Sequence, residues 1–199
     1  MITSIEPPLK NIKLIQEIIM EKFTIHDKAS APQNSKPLLE DSVNAFGMIP
    51  NLHGVMAEAP TVLKSYQVLH EEFLNTSFSA DEKTVIWQSI NVENNCHYCV
   101  PAHSAIAKSM KVADSLNDAL RNGDPLPTEK LQILKDTTLA IVRQKGVVED
   151  SVLEAFYDQG YGQQQLLEIM VGVAQKVMSN YINHFADTPV DDGFKAFVK

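Results

Sequence analysis

Apolar positions recur at helical spacing along most of the chain. Residues 9–25 place Ile12, Ile15, Ile19 and Phe23 at intervals of three and four, which predicts a helix with one apolar stripe. Residues 60–74 open on Pro60, which suits a first helical position, and carry Val62, Leu63, Tyr66 and Leu69 on one side. Ser79-Ala80-Asp81-Glu82 has capping-box spacing, predicting a helix over 80–93 with Val85, Ile86, Ser89 and Ile90 on one face. Helices over 99–111 and 114–121 follow, the second ended by Asn122-Gly123. Two more are predicted over 128–144 and 149–159, separated at Gly146 and closed at Gly160. The last, about 163–184, aligns Leu166, Met170, Val173, Val177 and Tyr181, with Leu167, Ala174 and Met178 beside them. So wide an apolar face predicts a central helix.

No segment sustains period-two alternation, so the pattern predicts an all-α fold. Residues 26–50 are less regular, and the stretch from Ala31 to Pro37 reads as an exposed loop. The tail 187–199, with Pro189 and Gly193, reads as a strap over a neighbour. No exact internal repeat is visible.

Composition narrows the picture. A chain of 199 residues suits one compact domain, or two small helical halves sharing a core. The net charge of -8 argues against a nucleic-acid or anionic-membrane partner, either of which needs clustered Lys and Arg. No apolar run approaches the roughly 20 residues that span a bilayer. The start, Met1 to Pro8, has no basic region followed by a continuous apolar run, so a cytosolic protein is expected.

The chain has two cysteines, Cys96 and Cys99, in C-x-x-C spacing. Such a pair cannot staple distant parts of a fold; in a reducing compartment it points to redox chemistry or a metal. Asn94-Asn95 ends one predicted helix, and Pro101 fits the first turn of the next. Cys99 then sits at a helix N-terminus, where partial positive charge favours thiolate. His103 lies one turn on, at the i+4 position, within expected reach of the Cys99 sulfur as base and then acid. Cys99 is the expected nucleophile and Cys96 its resolving partner. Other readings stay open: two thiols buried as small hydrophobes, a core histidine at His103, or a zinc site. The zinc site would use Cys96, Cys99 and His103, with His97, His184 or a carboxylate as fourth ligand.

The run Asn94-Asn95-Cys96-His97-Tyr98-Cys99-Val100-Pro101-Ala102-His103 resembles the signature of the AhpD-like alkylhydroperoxidases, within the carboxymuconolactone decarboxylase superfamily. Gly160-Tyr161-Gly162 before a long apolar helix is similar to the family's second half, and Asn180-Tyr181-Ile182-Asn183-His184 resembles its peroxidase-related branch. The resemblance covers roughly residues 45–190; within a single domain, 1–45 is expected to be an N-terminal extension of helix and loop, 46–190 the core and 191–199 a tail. It implies an AhpD-like helical bundle that forms trimers or hexamers, and hydroperoxide reduction at Cys99 with Cys96 resolving. It also implies a thiol or dihydrolipoyl reductant, His103 in a proton relay, and no metal or organic cofactor. Where the family's relay usually has a glutamate, twelve residues before the first cysteine, this chain has Thr84. Glu82 and Glu93 are the nearby carboxylates that could substitute.

Two other functions stay in view. A lactone decarboxylase has no use for a dithiol, and no Arg cluster accompanies the motif. A non-enzymatic redox sensor would keep the disulfide and dispense with the missing glutamate.

Overall fold

The computed structural model describes residues 22–199, and every described element is helical. We label the α-helices in chain order: α1 (Lys36–Phe46), α2 (Asn51–Met56), α3 (Pro60–Leu74), α4 (Ala80–Glu93), α5 (Cys99–Ser109), α6 (Asp114–Asn122), α7 (Glu129–Arg143), α8 (Asp150–Asp158) and α9 (Gln163–Ala186). Short 3-10 turns occupy Gln33–Ser35 and Asp192–Phe197.

Local signals start and stop these helices. The α4 capping box is formed: Glu82 N–H donates to Ser79 Oγ (3.3 Å), and Ser79 N–H donates to Glu82 Oε2 (2.8 Å). Thr128 caps α7 through the Leu131 N–H. Gly123, at φ +78°, ends α6 in the left-handed region that favours glycine.

The architecture is a bundle built around α4. Every residue of α4 from Thr84 to Asn91 is buried, because α5, α6, α7 and α9 all pack against it. The predicted one-sided face was therefore too narrow: a helix enclosed on all sides is central. One core cluster joins Phe73, Ile86, Trp87, Leu120, Leu134 and Phe156. A second gathers Leu39, Leu52, Leu63 and Tyr66 around both cysteines. Each such large apolar side chain contributes about 1.5–3 kcal/mol on burial.

Three expectations need correction. First, α9 is not an apolar centre. It buries Ile169 and Gly172 but otherwise Gln175, Lys176, Ser179, Asn180 and Asn183, and leaves Leu167, Met170, Tyr181 and Phe185 exposed. Its polar side faces inward because that side builds the site described below. Second, the stretch from Ala31 to Pro37 is not an exposed loop. Ala31 and Ser35 are buried, the Ser35 hydroxyl donates to the Ala57 carbonyl, and Pro37 sits in the first turn of α1. Third, the helix expected over 9–25 lies mostly outside the described residues, and residues 22–25 are not helical. Phe23 there leans on Phe185, ring centroids 5.4 Å apart.

The tail straps its own chain. Its 3-10 turn lies on α5, and Arg121 donates to the Phe197 carbonyl at 2.7 Å. Among the described residues, no helix is long and apolar enough to cross a membrane.

Candidate active site

The two cysteines lie where the chain turns from α4 into α5. Asn95 takes a left-handed conformation at φ +49°, and the Cys96 N–H returns to the Asn91 carbonyl at 3.0 Å. Helix α5 then begins at Cys99, with Pro101 in its first turn as expected. The Cys99 backbone N–H donates to Cys96 Sγ at 3.3 Å. The free N–H of the helix start thus serves the Cys96 sulfur rather than the Cys99 sulfur.

Cys99 draws its polar contacts from α9 instead. Asn183 Nδ2 donates to Cys99 Sγ at 3.2 Å and lies 3.9 Å from Cys96 Sγ. Ser179 Oγ is 3.8 Å from Cys99 Sγ. Both sulfurs therefore converge on one amide. Both thiols are free and buried, and Cys99 is 2% exposed.

The two sulfurs are electrostatically unequal. Burial alone opposes ionisation of Cys99, but the Cys96 thiol, the Lys176 ammonium, Ser179 and Asn180 outweigh it, so Cys99 lies below the ordinary thiol value. Cys96 is pushed up by its hydrogen bond to Cys99, by burial and by the charge on Cys99. The balance favours the thiolate form at Cys99 rather than at Cys96. Its physical source is the inner face of α9 more than the helix N-terminus.

An amide lattice holds this loop against α9. Asn180 Nδ2 donates to Asn91 Oδ1 (3.0 Å), and Asn94 Nδ2 donates to Asn180 Oδ1 (2.9 Å). Gln88 Nε2 reaches the Val100 carbonyl, Ser104 and Asn117. Tyr98 is pinned on the other side: its hydroxyl donates to Asp191 Oδ2 at 2.6 Å and accepts from the Leu52 N–H at 3.4 Å.

His103 does not meet the Cys99 sulfur as expected. Its Nε2 lies 2.6 Å from Lys176 Nζ, and its Nδ1 is buried without a partner. Burial, then Lys176 and His70, hold its pKa well below the usual imidazole value, so the ring is neutral. Lys176 is fully buried, with its ammonium 5.9 Å from the Tyr66 ring centroid and 5.8 Å from that of Trp87. Burial lowers Lys176 to about 8, against the opposing pull of Cys99 and Cys96.

The candidate carboxylates are engaged elsewhere. Glu82 closes the capping box and accepts from Tyr161 Oη at 2.8 Å. Glu93 forms a two-pronged pair with Arg143 at 2.8 and 2.7 Å. Neither hydrogen-bonds a thiol or His103. Thr84 is buried in α4.

The zinc ligands proposed from sequence are also divided. His97 Nε2 meets the Thr188 carbonyl at 2.9 Å, His103 meets Lys176, and His184 is exposed. Among the described residues, no group of three or more His, Cys, Asp or Glu is arranged to hold a metal ion.

Cys99 and His103 border a cavity of about 300 Å³, walled also by Phe46, His53, Tyr66 and His70. Burial, then His70 and Lys176, lower His53 to about 3; burial and Lys176 lower His70 to about 4. Both histidines are neutral in any ordinary solution. The orientation of His70 follows from its partners. Trp87 Nε1 can only donate, and it donates to Gln175 Oε1 at 2.7 Å. Gln175 Nε2 therefore donates to His70 Nδ1 at 2.9 Å, which leaves the proton on His70 Nε2. Cys96 borders a separate cleft with His97, Arg121 and Lys199.

Sequence reasoning missed Lys176 and Ser179, and gave Asn180 and Asn183 no role beyond the resemblance they carry. The signal was present: polar residues at 175, 176, 179, 180 and 183 fall at helical spacing within an otherwise apolar helix.

No protein-family model and no curated protein matches the sequence. The fold does match solved structures. One is an uncharacterized peroxidase-related protein from Ralstonia eutropha JMP134, described as an alkylhydroperoxidase AhpD core. It has a TM-score of 0.77 and 18% identity, covering 87% of this chain and 93% of that one. A second is an uncharacterized peroxidase-related protein from Silicibacter sp. TM1040, with a TM-score of 0.73 and 18% identity over 87% and 95% of the two chains. A third is a cysteine-to-alanine variant of the debrominase Bmp8 in complex with 2,3,4-tribromopyrrole, with a TM-score of 0.75 and 17% identity over 89% and 96%. At these identities the likeness is one of architecture, and this chain has the AhpD-like helical fold.

Proposed function

We infer that the chain reduces uncharged organic hydroperoxides through Cys99, with Cys96 as the resolving thiol. One observation carries this reading: Cys99 borders a cavity while Asn183 and the field of Lys176 hold its sulfur as a thiolate. A buried sulfur stabilised as an anion at a cavity wall is a nucleophile awaiting a neutral electrophile.

The cycle has three steps. The Cys99 thiolate attacks the terminal peroxide oxygen, the O–O bond breaks, and an alkoxide leaves Cys99 as a sulfenic acid. The Cys96 thiol then attacks the sulfenic sulfur, releasing water and forming the disulfide. A dithiol reductant, such as a dihydrolipoyl group, restores both thiols by exchange. Attack on Cys96 is favoured because Cys99, with the lower pKa, is the better leaving group; the Cys96 cleft supplies the approach. No metal or organic cofactor enters this cycle. The neutral histidines and aromatic walls of the cavity favour an uncharged, apolar hydroperoxide. The reducing environment this chemistry requires supports a cytosolic setting, and the exposed Leu167, Met170, Tyr181 and Phe185 of α9 support a homo-oligomer.

The test is hydroperoxide consumption by pre-reduced protein with cumene hydroperoxide and dihydrolipoamide. Turnover is expected in the unaltered protein and absent in Cys99→Ser. Undiminished turnover in Cys99→Ser contradicts the assignment.

A second reading rests on the aromatic walls of the cavity, taken with the debrominase of the same fold. The same thiolate would take the halogen of a halogenated aromatic ring as a sulfenyl halide while the ring carbon gains a proton, Cys96 would displace halide to form the disulfide, and an external dithiol would restore both thiols; release of bromide from bromopyrroles distinguishes this reading.

A further inference from the structure

Lys176 is the unexplained group in this molecule. It is 0% exposed, and among the described residues no carboxylate forms a salt bridge with it. Proteins rarely bury an ammonium without an anion to compensate it. The groups around it are His103 and Cys99 from α5, Cys96 from the preceding loop, Tyr66 and His70 from α3, and the Trp87 ring from α4; His53 of α2 also feels its charge. Burial raises Tyr66 above the ordinary phenol range, and the three histidines are neutral. The one anion the site offers is the Cys99 thiolate.

Charge balance has a consequence. While Cys99 is a thiolate, the thiolate and ammonium cancel. Once the disulfide forms, the thiolate is gone, and a protonated Lys176 stands buried without an anion. Its route of discharge is already built. Nε2 of His103 accepts from the ammonium, and Nδ1 of the same ring has no protein partner although the ring borders the Cys99 cavity. A neutral imidazole can lose a proton at one nitrogen while gaining one at the other.

We propose that Lys176 is a redox-linked proton store that acts through His103: it holds a proton while Cys99 is a thiolate, and it gives that proton up as the disulfide forms. In the peroxide cycle the alkoxide takes a proton from His103 Nδ1, and His103 Nε2 takes one from Lys176. The sum balances without solvent. ROOH, Cys99–S⁻, Cys96–SH and Lys176–NH₃⁺ become ROH, water, the disulfide and Lys176–NH₂. Reduction by an external dithiol returns two thiols, and Cys99–SH then passes its proton back to Lys176. The buried site is neutral before and after every turn. Lys176 is thus a positioning and proton-supplying residue where the resemblance led to a carboxylate. The identity of the oxidant rests on the peroxidase reading, but the proton balance does not.

The test counts protons during oxidation by diamide, an azo compound that takes up two electrons and two protons as it makes the disulfide and requires no peroxidase activity. Reduced protein in weakly buffered solution at neutral pH, with an indicator dye, is oxidised stoichiometrically while its ultraviolet thiolate absorbance is followed. The proposal predicts a thiolate band that disappears with no net proton uptake, because Cys96 and Lys176 supply both protons. A spectator lysine predicts uptake of one proton per disulfide, which overturns the proposal. Absence of the thiolate band in reduced protein at neutral pH overturns it too. In Lys176→Met the band is expected to vanish at neutral pH and return only at alkaline pH; a band unchanged by the substitution also contradicts it. Since diamide bypasses peroxide chemistry, failure here and failure of hydroperoxide reduction are separate results.

Discussion

The side-chain amide of Asn183 donates to the sulfur of Cys99 across 3.2 Å, from a position 84 residues further along the chain. Its own Oδ1 has no partner, so the contacts of Nδ2 with the sulfurs are what orient the amide. A hydrogen bond to a charged group is worth about 1.5–3 kcal/mol, or about tenfold to a hundredfold in thiolate population once Cys99 is no longer fully ionised. Asn183→Leu, made in a Cys96→Ser background, is therefore expected to slow iodoacetamide alkylation of Cys99 by roughly tenfold or more at mildly acid pH, where the thiolate is the minor form. An unchanged alkylation rate contradicts the role given to Asn183.

The pH profile follows from the ionisation of two groups. Cys99 is lowered, burial being outweighed by Cys96, Lys176, Ser179 and Asn180, so its reactivity toward peroxide rises and levels off below the ordinary thiol range. Lys176, lowered by burial to about 8, loses its proton as pH passes that value, which removes both the neighbouring positive charge and the stored proton. Single-turnover oxidation is expected to show an acid limb below neutrality, a plateau, and a fall near pH 8. A single rise at the pH of an ordinary thiol contradicts the ion pair.

Glu93 and Glu82 are predicted to be dispensable for chemistry. Glu93→Gln removes an exposed pair with Arg143 that is worth about 0.2–1 kcal/mol. Glu82→Gln weakens the α4 cap, at a cost of about 0.5–2 kcal/mol. Both variants are expected to melt slightly earlier and to retain turnover within about twofold, the size of effect expected away from reacting groups. A tenfold loss of turnover in either would restore that carboxylate to the proton relay.

Gly172 fixes how closely α9 approaches the core. A Cβ there meets Phe73 Cε2 at 2.7 Å and Ile86 Cγ2 at 3.0 Å. Phe73 is fully buried and cannot swing away. Gly172→Ala gains up to about 1 kcal/mol in helix propensity, while overpacking costs about 1–3 kcal/mol, so a net fall in Tm is expected. A higher Tm would show that the α9 interface is looser than described.

Much of the fold was legible from helical spacing and end signals. Pro60, the Ser79–Glu82 box, Asn122-Gly123 and Gly160 each mark a helix boundary close to its observed place. Helix α1 was not legible, because Pro37 and its polar neighbours resemble loop punctuation until Ser35 is seen anchored to Ala57. The orientation of α9 was misread because an apolar stripe normally faces a core, whereas here the inner side carries the polar residues of the site. Local spacing placed Cys96, Cys99 and His103 together but could not reveal what lies opposite them. Lys176 and Asn183 come from a distant helix, and only the packing of α9 on α5 brings them to the thiols.

The most direct test of the central claim is mass spectrometry of Cys96→Ser after one equivalent of cumene hydroperoxide, with dimedone present to trap sulfenic acid. The account predicts a single dimedone adduct, on Cys99, formed at a rate that follows the thiolate population. Protein that consumes no hydroperoxide and carries no adduct, while its Cys99 thiolate is shown to be present, would contradict it.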